Sequence, residues 1–233
     1  MADRPVRTVV CRGRRVTAAR SLWLFGGVTN FNADAAMNDL WVSRDDGATW
    51  MGVTLEPMSD LPQPRGLIYD LAVWKGDLWL CGGGNYTDTV PRTYFNDVWR
   101  FEITDDSAAG VSGRWISIPQ GPGLRWTARE YHNVAVFDDK LWVMSGWGPA
   151  YDDAGNRTVD AEGQSMDSNH DDVWFTEDGS NWQRLEADSI WPPGHADGVC
   201  VDARGLWHIT GNGTFADGNV DVWLLTQQFV EVP

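Results

Sequence analysis

Four times along 233 residues, an apolar run led by Leu-Trp stops abruptly at glycine. The four runs are Leu22-Trp23-Leu24-Phe25-Gly26-Gly27, Leu78-Trp79-Leu80-Cys81-Gly82-Gly83, Leu141-Trp142-Val143-Met144-Ser145-Gly146 and Leu206-Trp207-His208-Ile209-Thr210-Gly211. Each is followed by a second short run entered through Asp: Asn38-Asp39-Leu40-Trp41, Asn96-Asp97-Val98-Trp99, Asp171-Asp172-Val173-Trp174 and Val220-Asp221-Val222-Trp223. An aromatic residue then closes each unit, at Trp50, Trp115, Trp182 and Phe229. Short aromatic and β-branched runs bounded by Gly, Asn and Asp are strand and turn signals. From the second unit on, a further candidate strand precedes the Leu-Trp pair: Leu71-Ala72-Val73-Trp74, Val134-Ala135-Val136-Phe137 and Val199-Cys200-Val201. The Leu-Trp pairs recur at intervals of about 56, 63 and 65 residues, a spacing close to that of propeller blades. Each unit is expected to be a four-stranded meander. No segment sustains apolar residues at the helical i, i+3, i+4, i+7 spacing, so the chain is expected to be all-β.

An apolar strand ending in Gly-Gly, a variable loop, an Asp-Val-Trp type strand and a closing Trp resemble the repeats of kelch β-propellers, including galactose-oxidase-like central domains. Residues 43–50 (SRDDGATW) are also similar to the Asp-box between the last two strands of sialidase-like propeller blades, and residues 175–182 (FTEDGSNW) form a looser version. The resemblance spans residues 22–233. It implies a β-propeller of four kelch-like blades, at about 22–55, 67–119, 126–185 and 191–232. Four blades are few for this family. An incomplete ring completed by a partner chain, or a fragment of a larger propeller, are the alternatives. Kelch propellers include enzymes and pure binding platforms, so the resemblance speaks to fold more than to function.

Residues 1–21 do not follow the repeat. Six of the eighteen basic residues lie here: Arg4, Arg7, Arg12, Arg14, Arg15 and Arg20. Thr8-Val9-Val10-Cys11 and Val16-Thr17-Ala18 are the candidates for the innermost strand of the first unit. The stretch is expected to hold at most one strand; an artificial N-terminus and a basic arm for nucleic acid are the other readings. Blade two is expected to join its last two strands by a long turn over residues 104–113.

Fifteen Trp residues fall mainly at repeat positions, where large rings bury apolar area within and between units. In particular, Trp41, Trp99, Trp174 and Trp223 are expected to be buried. The formal net charge of -15 argues against nucleic acid and against an anionic membrane as partners, because both need clustered Lys and Arg. Cys11, Cys81 and Cys200 are odd in number and scattered, which suits reduced thiols better than a disulfide framework. No run has the length of a transmembrane helix and the N-terminus lacks a signal-peptide core. The expected location is therefore cytoplasmic, or secreted if the chain is truncated at its N-terminus.

In an up-and-down meander, the loop leading into each unit and the loop between its second and third strands emerge on one face. The lead-in loops carry Arg65 and Tyr69 in unit two, residues 126–132 in unit three and residues 191–197 in unit four. Counting back from Leu-Trp aligns Trp126 with Trp191, and His132 with Asp197. Trp126, Arg129, Tyr131, His132, Trp191 and His195 are the candidate ligand-binding residues. Aromatic faces stack on sugar rings, while Arg and His supply directional donors. The loop over residues 148–170 holds Asp152, Asp153, Asp160, Glu162 and Asp167, but its spacing fits no calcium loop. It is expected to be a solvated, mobile insertion, with no metal or cofactor assigned. Asp39, Asp97, Asp172 and Asp221 share one repeat position, which suggests backbone capping. Asp45, Gly47 and Thr49 suit turn geometry. No P-loop, G-x-S-x-G or H-E-x-x-H motif is present. The expected function is a non-catalytic binding module for carbohydrate or protein. The alternative is a sugar epimerase, mutarotase or lyase that pairs His132 with Glu130 or Asp197.

Overall fold

Positive φ at the glycines after the first two Leu-Trp runs, +57° and +104° at Gly26 and Gly27 and +55° and +99° at Gly82 and Gly83, shifts the ladder register at Phe25/Gly27 and Cys81/Gly83, and both strands run on, to Val28 and Thr87. These values cost little without a Cβ. The computed structural model describes residues 6–12, 21–28, 36–57, 59–65, 70–87, 90–123, 125–152, 154–187, 190–211 and 221–226. Its first antiparallel sheet orders β1 (Val6–Arg12), β2 (Ser21–Val28), β3 (Ala36–Ser43) and β4 (Met51–Gly52) in sequence. β5 (Thr54–Leu55) crosses over to pair in parallel with the outer edge of the second sheet. That sheet is β6 (Asp70–Trp74), β7 (Asp77–Thr87), β8 (Val90–Ser107) and β9 (Gly110–Ser117). The third comprises β10 (Asn133–Phe137) and β11 (Lys140–Met144). After a hairpin of β12 (Trp147–Pro149) and β13 (Asp167–Asn169), it continues with β14 (Val173–Thr176) and β15 (Trp182–Arg184). The fourth holds β16 (Gly198–Asp202), β17 (Gly205–Ile209) and β18 (Val222–Leu225).

Strand periodicity sends successive side chains to opposite faces, and here both faces are apolar. From β7, Leu78 and Leu80 enter a core shared with Trp23, Phe25, Leu40 and Val42 of the first sheet. The intervening Trp79 and Cys81 enter a second core with Leu141 and Val143 of the third sheet. From β11, Trp142 and Met144 face Leu206, Val199 and Leu225 of the fourth sheet. Innermost strands lie side by side in the order β1, β6, β10, β16. Three cores thus join successive sheets, and none among the described residues joins the fourth sheet to the first.

The chain is all-β, and no helix stands among the described residues. None is therefore long and apolar enough to cross a membrane. In the N-terminal stretch one strand, β1, pairs with β2 from Val6↔Val28 to Arg12↔Ser21. The long turn expected over residues 104–113 is instead a tight hairpin. β8 runs on to Ser107 and β9 restarts at Gly110, with a register shift at Ile103/Asp105 absorbing the mismatch. Of the four Trp residues expected to be buried, Trp174 is, at 6% exposed. Trp41, Trp99 and Trp223 are half-exposed. Trp41 and Trp99 turn their indole Nε1–H outward to the carboxylate two residues earlier, Asp39 and Asp97. Phe229 and the strand expected over residues 229–232 lie outside the described residues, as do Val220, Tyr69, Asp153 and Arg4, Arg14, Arg15 and Arg20.

The Asp-containing turns fix how sheets meet. In the first, Asp45 accepts from the Thr49 amide (2.8 Å) and hydroxyl (2.6 Å), while Ser43 Oγ accepts from the Gly47 amide (2.8 Å). In the third sheet, Asp178 accepts from the amides of Ser180 and Asn181, and Thr176 Oγ1 from that of Gly179. Gly179 has φ +83°, and a Cβ there would overlap the buried Trp79 ring of the second sheet. Gly179→Ala is expected to lower unfolding free energy by about 1–3 kcal/mol through strain and overpacking. Gly110→Ala, with nothing within 4 Å, should change it by less than about 0.5 kcal/mol. Urea denaturation midpoints of the two variants check this.

Candidate functional site

The lead-in loops are tied down by buried arginines. Arg129 is fully buried, and its guanidinium has five N–H donors. Nε donates to Thr127 O (3.0 Å), Nη1 to Ser145 O (2.9 Å) and Asp172 Oδ1 (2.5 Å), and Nη2 to Thr127 Oγ1 (3.1 Å) and Asp172 Oδ2 (3.0 Å). All five donors are taken inside the fold. Arg65, at the corresponding place in unit two, is also fully buried. It pairs with Asp97 and lies 4.2 Å over the Phe95 ring. Asp97 and Asp172 therefore hold an Arg from their own unit and a Trp two residues on. At these two positions the carboxylate serves side chains, in place of the backbone capping expected there. Burial raises the Asp172 carboxyl, but the Arg129 charge together with hydrogen bonds from Arg129 and Trp174 holds it down to about 2.

His132 is 3% exposed and its Nε2 lies 2.9 Å from the Cys81 carbonyl, to which it donates as the Nε2–H tautomer. Burial, and then the charge of Arg129, push it down to about 3. Its ring packs against Trp126, which meets Trp182 edge-on inside the second core. Trp191 stacks on His208 with 4.0 Å between centroids and 8° between planes, and donates to Ser145 Oγ (2.9 Å). His208 Nε2 lies 3.2 Å from Ser145 Oγ and 3.0 Å from Asp197 Oδ2. Ser, His and Asp thus meet in one buried cluster, but both partners share one ring nitrogen. A nucleophilic relay needs them on opposite nitrogens, so this cluster is a structural brace. Among the described residues no hydrogen bond joins His132 to Glu130 or Asp197: His132 Nε2 lies on the Cys81 carbonyl, and Asp197 on His208 and the Gly211 amide.

Above this buried layer, a half-exposed aromatic cluster remains. Tyr131 and His195 face each other across the two lead-in loops at 5.3 Å, and Trp147 meets His195 edge-on at 5.4 Å. Tyr131 takes φ +55° and its carbonyl accepts from the Ala196 amide (2.9 Å), which links the loops. A bulky residue in the left-handed region is uncommon and clusters at functional sites. His195 Nδ1 lies 2.6 Å from Asn169 Oδ1 at the end of β13. His170, next in sequence, is mostly buried and pushed down to about 4 by burial and then by Arg129.

The insertion beside this cluster is exposed, as expected from its composition, and its described residues are tied together by backbone hydrogen bonds. Ala150, Thr158 and Met166 close a triangle of backbone bonds, Thr158 to Ala150, Met166 to Thr158 and Ala150 to Met166, at 3.0 to 3.1 Å. Asp152 Oδ1 caps the amides of Ala154 and Asn156, and Asp160 Oδ1 those of Glu162 and Gln164. These carboxylates build two turns, eight residues apart. Among the described residues no group of three acidic, His or Cys side chains could hold a metal ion. Tyr94 and Arg157 both donate to Asp167 at 2.6 Å and clamp the base of the insertion.

In fold, the chain is similar to the structure of YjhT, with a TM-score of 0.51 and 14% identity over 87% of this chain and 57% of that one. It is also similar to a chain in the cryo-EM structure of RAG in complex with one melted RSS and one unmelted RSS, with a TM-score of 0.60 and 11% identity over 97% of this chain and 68% of that one. This chain therefore spans little more than half of YjhT and about two thirds of the second. At such identities the likeness concerns fold alone. No protein-family model matches the chain, and no curated protein matches it in sequence.

Of the six candidate residues, Trp126, Arg129, His132 and Trp191 lie beneath the surface, while Tyr131 and His195 come together on it. Trp147 and Asn169 join them and were not singled out from sequence. Trp147 directly follows the Ser145-Gly146 stop, which was a usable signal; Asn169 carried none.

Arg129→Ala would leave Asp172 without its cation. It is expected to destabilise the fold by about 3–5 kcal/mol, read from chemical denaturation, so any loss of binding in it reflects loss of structure. A second expectation concerns pH. Unfolded His titrates near 6.5, whereas His132 and His170 are depressed to about 3 and 4. The unfolded chain therefore takes up protons that the folded chain refuses, and stability present above pH 6.5 is lost as pH falls towards 4. Unfolding midpoints should fall between pH 7 and 4.5, and His132→Gln should show a shallower slope.

Proposed function

We propose that the chain is a kelch-type β-propeller module that binds carbohydrate at the face bearing Tyr131, Trp147, His195 and Asn169, with no chemistry of its own. The observation that carries this reading is the trio of half-exposed rings, Tyr131, His195 and Trp147, with centroids 5.3 and 5.4 Å apart. Aromatic planes suit the C–H faces of sugar rings, and adjacent side-chain amide and imidazole groups suit hydroxyls. Rigid support favours this face. Tyr131 sits on a loop braced by Arg129 and Asp172, His195 on one held by backbone bonds to Gly146, His170 and Tyr131, and Trp147 and Asn169 on a folded hairpin. The kelch-type propeller reading is supported by the four-fold repeat of meanders packed face to face, and by likeness in fold to the two solved structures.

The test is a panel of neutral and acidic oligosaccharides, with binding and product both followed by NMR. At least one saccharide is expected to bind without turnover. Tyr131→Ala, Trp147→Ala and His195→Ala should each weaken it tenfold or more, about 1.4 kcal/mol, while the far-UV spectrum stays unchanged. Turnover would establish an enzyme instead. Absence of any saccharide binding, or binding indifferent to all three substitutions, overturns the reading and leaves this face for a protein ligand.

A further inference from the structure

Arg65 and Arg129 occupy one repeat position, and the fourth unit has glycine there. The amides of the two arginines donate to the preceding unit at Met37 O and Phe95 O, and their carbonyls accept from Gly27 and Gly83. In the fourth unit the same pair of backbone bonds belongs to Gly194. Its amide donates to His170 O (3.3 Å) and its carbonyl accepts from the Gly146 amide (2.8 Å). Two residues further on, Tyr131 and Ala196 share φ +55°, so the loops match residue for residue. Gly194 itself takes no positive φ, so the backbone does not require glycine there. The carboxylate that would meet this arginine is nevertheless present. Asp221 shares the repeat position of Asp97 and Asp172. Its carbonyl accepts from the Thr210 amide (3.0 Å), as that of Asp172 does from Ser145 (3.3 Å). Asp97 and Asp172 each hold an arginine and the indole two residues on. Asp221 is exposed and, among the described residues, bonds through its backbone alone, while the buried Nε1 of Trp223 meets no acceptor. A second carboxylate lines the same place: a Cβ at Gly194 would lie 3.1 Å from Asp197 Oδ1 and 3.5 Å from Oδ2. Neither stretch flanking this part of the chain, 212–220 or 227–233, contains Lys, Arg or His.

We propose that the fourth unit takes this guanidinium from outside the chain, as the arginine side chain of a peptide partner, held between Asp221 and Asp197. Arg129 shows how the group fits. Its Nη1 and Nη2 reach the two oxygens of Asp172 at 2.5 and 3.0 Å, a bidentate pairing that suits a planar guanidinium and not an ammonium. Its Nε donates to the carbonyl of Thr127, and Pro192 stands at the same distance in sequence before Gly194. In both the second and the third unit the group arrives on a peptide backbone. The net charge of -15 draws a cationic partner towards the chain. The site adjoins His195 but does not rest on the saccharide reading of the aromatic cluster.

The test titrates the full chain with Nα-acetyl-arginine N-methylamide and follows the tryptophan indole N–H signals by NMR. The arginine amide is expected to bind with a millimolar Kd, to shift the Trp223 indole signal, and to weaken as salt is raised. Its citrulline counterpart has the same shape without the charge, and should bind at least tenfold more weakly. Methylguanidinium, which lacks the peptide, should also bind more weakly. Asp221→Asn alters an exposed position, so the chain stays folded by far-UV circular dichroism, and affinity should fall tenfold or more. Gly194→Arg supplies the guanidinium from within and should abolish binding of the amide. Absence of binding by the arginine amide overturns the proposal. So does equal binding of the citrulline counterpart, or binding that ignores Asp221→Asn. Equal binding of methylguanidinium overturns the peptide as its source.

Discussion

The fold rests on its second and third sheets, which bury both faces at once. A single strand such as β7 feeds Leu78 and Leu80 to one core and Trp79 and Cys81 to another. Neither neighbour can be removed without exposing half of that strand. Because apolar burial scales with area, stability is carried between sheets rather than within them. The ladder bonds set the register that makes each contact possible. Glycines after the Leu-Trp runs matter for the same reason. At Gly27 and Gly83 they shift the register within the ladder, and Gly146, just past the end of its strand, takes φ +112° beside His132 and Arg129.

Much of this was legible because the repeat is written in pairs of residues with separate destinations. Leu-Trp names one side chain for each core, and its recurrence gave the number, order and antiparallel sense of the sheets. The candidate site was less legible. Trp126, Arg129, Tyr131, His132, Trp191 and His195 were grouped correctly by loop, but sequence carries no measure of depth within a loop. Burial there is decided by partners distant in sequence: Asp172 for Arg129, the Cys81 carbonyl for His132, and Ser145 with His208 for Trp191. The insertion is exposed, as its acidic composition suggested; what composition did not show is that the Asp152 and Asp160 carboxylates close turns on backbone amides.

The polar interior has a uniform logic. Arg65 and Arg129 each replace the hydration they lose with acceptors in their own unit, and Asp97 and Asp172 each serve an arginine and an indole. Buried charges of this kind add little net stability relative to apolar substitutes. They do fix where a loop begins and how it leaves the sheet. The precision of the aromatic trio on the surface depends on that fixing, since Tyr131 lies only two residues from Arg129.

The triangle of Ala150, Thr158 and Met166 has an evolutionary consequence. Its two legs are eight-residue modules, each closed by its own Asp turn and, among the described residues, bonded to neighbouring legs and to the hairpin base. Duplicating or deleting one module would change the height of the wall beside the aromatic cluster while leaving every strand of the four sheets in register. Ligand choice could therefore diversify by whole-module steps in this one segment, independently of the buried architecture that constrains the rest of the chain.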